Sequence, residues 1–138
     1  MSGIDRDLND PIFLTVEHVL MLHQRQLDRF GGGEGIRDRG LLESAVAQPQ
    51  ASVGGAFAHE GIFKMAAAYL FHLVSNHAFV DGNKRVGLLS CLTLLHLNGV
   101  HLLRESEALY QLTLSVAEGR VDKAAIAVEL ERIFQSKT

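Results

Sequence analysis

The chain has 138 residues, 47% of them apolar, and a formal charge of −3. That length suits one domain with a core of its own, and its scattered basic residues disfavour direct nucleic-acid binding, because phosphate backbones are held by clustered positive charge. The single cysteine, Cys91, excludes an internal disulfide and fits a reducing cytoplasm, and neither CxxC nor HExxH occurs, so no zinc pattern is present.

The acidic, polar start MSGIDRDLNDP is no signal peptide, and residues 1–10 are the stretch that reads as disordered. Thr15 is placed to cap a helix from Val16 to Phe30, with Leu20 and Leu27 on its apolar stripe, and Gly31-Gly32-Gly33 ends it. A second helix is expected from Asp38, carrying Leu41, Leu42, Ala45 and Val46, and Pro49 stops it. Residues Gln50 to Ala58 are small and glycine-containing, which predicts a loop or flap. Glu60 to Asn76 and Asn83 to Asn98 are apolar on all sides, the pattern of buried helices. Val86 to Leu103 lacks Asp, Glu, Lys and Arg, but Asn98-Gly99 stops the helix well short of the ~20 residues that span a bilayer. Ser106 is expected to cap a helix to Glu118, ended by Gly119, and Asp122 to cap a last one to Gln135. Period-two β patterns are scarce. The reading is all-α, a single domain of six or so helices, with two buried central helices flanking a polar loop.

That loop and the helix start after it read HAFVDGNKRVG, residues 77–87. A loop fixed at both ends by buried helices suits a site that needs precision. It also feeds a helix N-terminus, where backbone N–H groups lack intrahelical partners and the macrodipole is positive. Lys84 and Arg85 run against that dipole at a cost of roughly 0.3–1 kcal/mol each, which an anionic ligand would reverse. Gly82 allows a ligand close to the backbone, and a phosphate fits a helix N-terminus. Asp81 beside phosphates suggests Mg²⁺, and His77 is the side chain there able to act as a base near neutral pH. Taken alone, Asp81 or Asn83 could be a helix N-cap and His77 a structural histidine. Their joint arrangement is what points to a phosphate clamp, a metal ligand and a base. Phe79 is assigned to the core as the loop's anchor.

The stretch HAFVDGNKR resembles the Fic/Doc motif HxFx(D/E)GN(G/K)R. Phe13-Leu14-Thr15, the run Gly35-Ile36-Arg37-Asp38-Arg39-Gly40-Leu41-Leu42-Glu43-Ser44-Ala45 and the late Ala117-Glu118-Gly119 are similar to the Doc (death-on-curing) branch, so the resemblance covers nearly the whole chain. Fic proteins that transfer AMP usually have glycine where Lys84 stands and a second arginine where Leu88 stands. Doc toxins share both departures.

The Doc resemblance implies a helical Fic/Doc fold and a kinase-type toxin of a toxin–antitoxin system. Such a toxin moves the γ-phosphate of ATP, with Mg²⁺, to a hydroxyl of elongation factor Tu and arrests translation in the cytoplasm. It implies an antitoxin whose tail folds on binding, and no membrane or direct nucleic-acid partner. On this reading His77 takes the proton of the target hydroxyl and Asp81 holds Mg²⁺. Gly82 gives the nucleotide room, and Asn83, Lys84 and Arg85 bind phosphates and stabilise transfer. A glycine at position 84 would leave room for a further phosphate, whereas lysine fills it and turns the nucleotide to present its γ-phosphate. Leu88 then simply returns to the core. AMP transfer and a non-catalytic nucleotide- or partner-binding module remain the alternatives. Autoinhibited Fic proteins carry (S/T)xxxE(G/N). Here Leu114 precedes Glu118-Gly119 by the required four positions, with Thr113 and Ser115 each off by one, so inhibition is expected in trans.

Overall fold

The longest apolar run in the sequence becomes the axis of the molecule. In the computed structural model, which describes residues 10–102 and 106–135, helix α3 (Ile62–Asn76) is flanked by α2 (Arg39–Ala47), α4 (Asn83–Leu97), α5 (Glu107–Ala117) and α6 (Lys123–Gln135). Helix α1 (Val16–Phe30) lies against α4 and α2. The expected all-α architecture of six helices is present. The stretch read as disordered lies, up to residue 9, outside the described residues.

Local chemistry explains the helix ends. The Thr15 hydroxyl accepts from the His18 N–H while His18 Nδ1 accepts from the Thr15 N–H, a capping box with histidine in the position usual for Glu or Gln. Asp38 caps α2 through Leu41 N–H, and Asp122 caps α6 through Ala125 N–H. Asn98 ends α4 as expected, and its amide also bonds both N–H and C=O of Ile12, tying the chain's beginning to the end of α4.

Along α3 the alanines 66 to 68 are fully buried, so neighbouring helices approach closely. Tyr69 is buried too, and its hydroxyl lies 2.9 Å from the Leu14 N–H; burial pushes the phenol up to about 12, so it stays protonated. Gly87 marks the tightest point between α3 and α4. A Cβ there would stand 2.7 Å from Val74 Cγ2 and 3.6 Å from the Leu70 carbonyl.

The structure departs from the expectations in four places. The stretch Gln50–Ala58 is not merely a loop: after a 3-10 turn (Gln48–Gln50) it forms a small hairpin, β1 (Ser52–Val53) with β2 (Ala56–Phe57), because Gly54 and Gly55 both take positive φ, as a tight two-residue turn requires. Helix α4 is not buried all round. Leu88, Leu89 and Leu92 are half-buried and Leu97 is exposed, so Leu88 packs at the margin of the core instead of within it. Ser106 occupies the N-cap of α5 without a capping side-chain bond. Glu60 lies outside α3, which Gly61 (φ 89°) precedes.

One polar cluster bridges the hairpin side and the helices. Lys123, first residue of α6, donates to Nε2 of both His59 and His72, each at 3.1 Å. Burial, then the Lys123 charge, lowers both imidazoles, His72 to about 4. As pH falls the unfolded chain takes up its proton near 6.5 whereas the folded one resists to about 4, so stability is full above 6.5 and is lost across that window. Thermal melts should show it, and His72→Gln, which keeps an acceptor but does not titrate, should flatten the dependence. For Gly87→Ala the clash with Val74 should cost about 1–3 kcal/mol in urea unfolding.

Candidate active site

Helix α3 stops at Asn76 because His77 turns into the left-handed region, φ 50° and ψ 49°. It is the only non-glycine residue with positive φ among the described residues. Such a conformation costs of order 1–3 kcal/mol and persists where surroundings fix it. The segment 35–38 does so. The Arg37 guanidinium donates from Nε to the His77 carbonyl at 2.6 Å and from a terminal nitrogen to the Asn76 carbonyl at 3.1 Å. The backbone N–H groups of Arg37 and Asp38 both donate to the Ala78 carbonyl. Val80 N–H bonds to Gly35 C=O, Ile36 pairs antiparallel with Phe79, and the Asn76 side chain reaches the Leu41 carbonyl.

The interior of the loop is closed by Asn83 and His23. Asn83 accepts from the Phe79 N–H and donates to the Phe79 carbonyl, both at 3.0 Å, so this side chain folds back to brace the turn and is not the cap of α4. Phe79 is buried, as expected of an anchor, and stacks on the His23 ring at 3.8 Å and 12°. His23 Nε2 donates to the Asp81 carbonyl at 2.7 Å, which makes Nε2 the protonated nitrogen. Behind Gly82 (φ 81°) the same ring would stand 3.4 Å from an added Cβ. The sequence reading missed His23 and Arg37. For His23 there was a signal: it shares the buried stripe of α1 with Val19, Leu22 and Leu27, and a buried imidazole needs a partner. Arg37 stands in the Doc-like run 35–45, but nothing in the sequence pointed to its bonds with the loop, because an arginine in a loop reads as solvated.

The Asp81 carboxylate is exposed, yet it is caught by two backbone donors: Gly33 N–H on one oxygen at 3.2 Å and Gly82 N–H on the other at 2.8 Å. Those two bonds, Gly33 foremost, hold its pKa below the ordinary aspartate value, with help from the charges of Arg85 and His23. The Gly31-Gly32-Gly33 break therefore does more than end α1, because it wraps the carboxylate. A Cβ on Gly32 (φ 123°) would lie 2.7 Å from Asp81 Oδ2. One lone pair remains on each oxygen, which fits an ion such as Mg²⁺ that commonly takes a single carboxylate plus phosphate and water. No group of three or more His, Cys, Asp or Glu able to hold a metal exists among the described residues.

Gly82 leads into α4 with no side-chain cap, leaving the helix N-terminus to an outside acceptor. Lys84 and Arg85 are exposed in the first turn, and the Arg85 guanidinium rests 4.4 Å above the ring of Phe30, last residue of α1. His77 is exposed at the other end of the loop. At the end of α5, Glu118 pairs with Arg120, Ser115 accepts from Arg120, and the Thr113 hydroxyl is spent on the Leu109 carbonyl. The arrangement offers an ionised carboxylate, a positive helix end with two cations, and an imidazole. Gly32→Ala should push the Asp81 carboxylate off its backbone donors and raise its pKa toward the ordinary aspartate value, which a carboxyl-carbon NMR titration measures, with the helical circular-dichroism spectrum retained.

Comparison with known proteins follows the same residues. The family model described as Fic/DOC family matches residues 13–95, which include α1 to α3, the loop and α4 as far as Leu95. A protein named Toxin Doc from Mycolicibacterium smegmatis (strain ATCC 700084 / mc(2)155) is 45% identical over 103 residues, 73% of this chain and 79% of that one. Protein kinase doc of Escherichia phage P1 is 34% identical over 126 residues, 89% of this chain and 96% of its own length. With the family's motif lying on a braced loop and an uncapped helix start, and with relatives aligned over most of its length, the chain belongs to the Fic/DOC family.

Proposed function

We propose that this protein is a Doc-type kinase toxin that moves the γ-phosphate of ATP onto a hydroxyl of a target protein, elongation factor Tu, and so arrests translation in the cytoplasm. The observation that carries the reading is Lys84 beside Arg85 at the uncapped start of α4, one turn from the ionised Asp81. The relative named Protein kinase doc, aligned over nearly its whole length, supports phosphate as the transferred group.

In this reading the target's hydroxyl oxygen bonds to the γ-phosphorus, the bond from that phosphorus to the β–γ bridging oxygen breaks, and ADP leaves. The hydroxyl proton goes to the His77 imidazole. Lys84, Arg85 and the α4 N–H groups face the charge that spreads over the phosphate oxygens, a positioning and electrostatic task. Gly82 keeps the approach clear, and Asn83 braces the turn with one N–H left for a phosphate. Mg²⁺ bound at Asp81 would neutralise phosphate charge. The Phe30 ring holds Arg85 by a contact worth about 0.5–1 kcal/mol at an exposed position, weak enough for a phosphate to compete for it.

The same reading has the protein controlled in trans by a separate antitoxin whose tail folds on binding. Glu118 is engaged with Arg120, and no Ser or Thr stands four residues before it. A relative is itself named a toxin. No helix among the described residues is long and apolar enough to cross a membrane.

The test is incubation with Mg²⁺, cell extract and ATP labelled at either the α- or the γ-phosphate. Label on protein from γ alone is expected. Label from α would mean AMP transfer, and no label from either would mean a binding module. His77→Ala should lower transfer by about 10²–10⁴-fold with the fold intact. Lys84→Gly should lose γ-transfer, and unchanged γ-transfer would remove Lys84 from the mechanism.

A further inference from the structure

Arg37 lies outside the family's HxFx(D/E)GN(G/K)R segment, yet it bonds to three successive carbonyls around His77. Its guanidinium takes those of Asn76 and His77, and its backbone N–H takes that of Ala78. Residue 77 is also where the backbone is strained, with φ 50° on a β-carbon-bearing side chain. The end of a helix normally turns left-handed on glycine or asparagine, and its last carbonyls go to water or to a basic side chain. Here an arginine fork supplies the missing donors on both sides of the strained residue. The backbone of 35–38 fixes where Ala78 and Val80 lie, and the guanidinium bonds the carbonyls of the two peptide units that flank the His77 α-carbon.

We infer that Arg37 is a positioning residue for His77: its guanidinium holds the peptides at 76 and 77 so that the exposed imidazole keeps one direction toward the hydroxyl it deprotonates. This rests on the reading of His77 as the base. Arginine suits the task and lysine does so only in part, because a planar fork reaches two carbonyls at once whereas an ammonium is a single point of charge. The role is orientation, not substrate binding, so its removal bears on the turnover step. A misplacement of about 1 Å in a reacting group costs on the order of 10²-fold in rate.

The experiment uses the full chain, Mg-ATP labelled at the γ-phosphate, and elongation factor Tu as acceptor, or whichever extract protein takes up that label from the unaltered enzyme. Arg37→Met keeps the side-chain stem and the Arg37 and Asp38 backbone bonds, so the fold should survive, as helicity and Tm will report; Arg37→Lys is the second variant. The expected result is a kcat lower by roughly 10–100-fold in Arg37→Met, an intermediate loss in Arg37→Lys, and KM for both ATP and acceptor within about threefold of the starting values. A kcat that holds in both folded variants, or a loss carried by KM, overturns the inference. His77→Ala, run alongside, separates the two levels: if it is inactive while Arg37→Met is fully active, the inference alone fails. Full activity in His77→Ala removes the base assignment, and the inference with it.

Discussion

The close contact of α3 with α4 is the constraint on which the rest depends. Gly87 lets the backbone of α4 come against Val74 and the Leu70 carbonyl, one turn after the helix begins and one turn before α3 ends. Two helices held this near can be joined by only a short loop, and a loop anchored at both ends in a dense core has little freedom left. Six residues, 77 to 82, carry out that connection. Two left-handed positions, at His77 and Gly82, make the reversal possible. The polar chemistry follows from this geometry: a chain that must reverse so tightly presents a helix end outward, and the positive field of that end is what phosphates can use.

Around this loop runs a set of restraints that hold its backbone and the Asp81 carboxylate in place. His23 carries the Asp81 carbonyl, Gly33 and Gly82 carry its carboxylate, Arg37 carries the carbonyls beside His77, and Asn83 spans the turn. Side chains that could act on a substrate are exposed, and those that position them are buried or bonded to backbone. The division has a physical reason. An exposed side chain is free to meet a ligand but is poorly fixed, so its precision must come from the backbone beneath it, and backbone is fixed by groups that use up their hydrogen bonds inside the protein.

Much of the fold was legible from local pattern. Thr15, Asp38, Asp122 and Asn98-Gly99 mark helix ends through chemistry that needs only neighbouring residues, and the apolar run of α3 announces a buried helix. The motif loop was legible because its residues are contiguous. What could not be read was anything decided by distant partners. Asn83 turned inward because Phe79 offered it a donor and an acceptor, and Leu88 stopped at the margin because α4 has one face toward solvent. The hairpin at residues 52–57 is too short for a period to show. His23 left a trace as a polar residue on an apolar stripe, whereas the fork of Arg37 left none.

The restraints on the loop are also long in sequence. Asp81 is held from positions 48 and 58 residues away, and His77 from one 40 residues away. Contacts of that span cost more loop-closure entropy than contacts between neighbours. The motif can thus be complete as a string of residues before it exists as a geometry. Its function is a property of the completed native state: partial unfolding that frees α1 or the 31–38 segment would leave every motif residue present and the machinery unassembled.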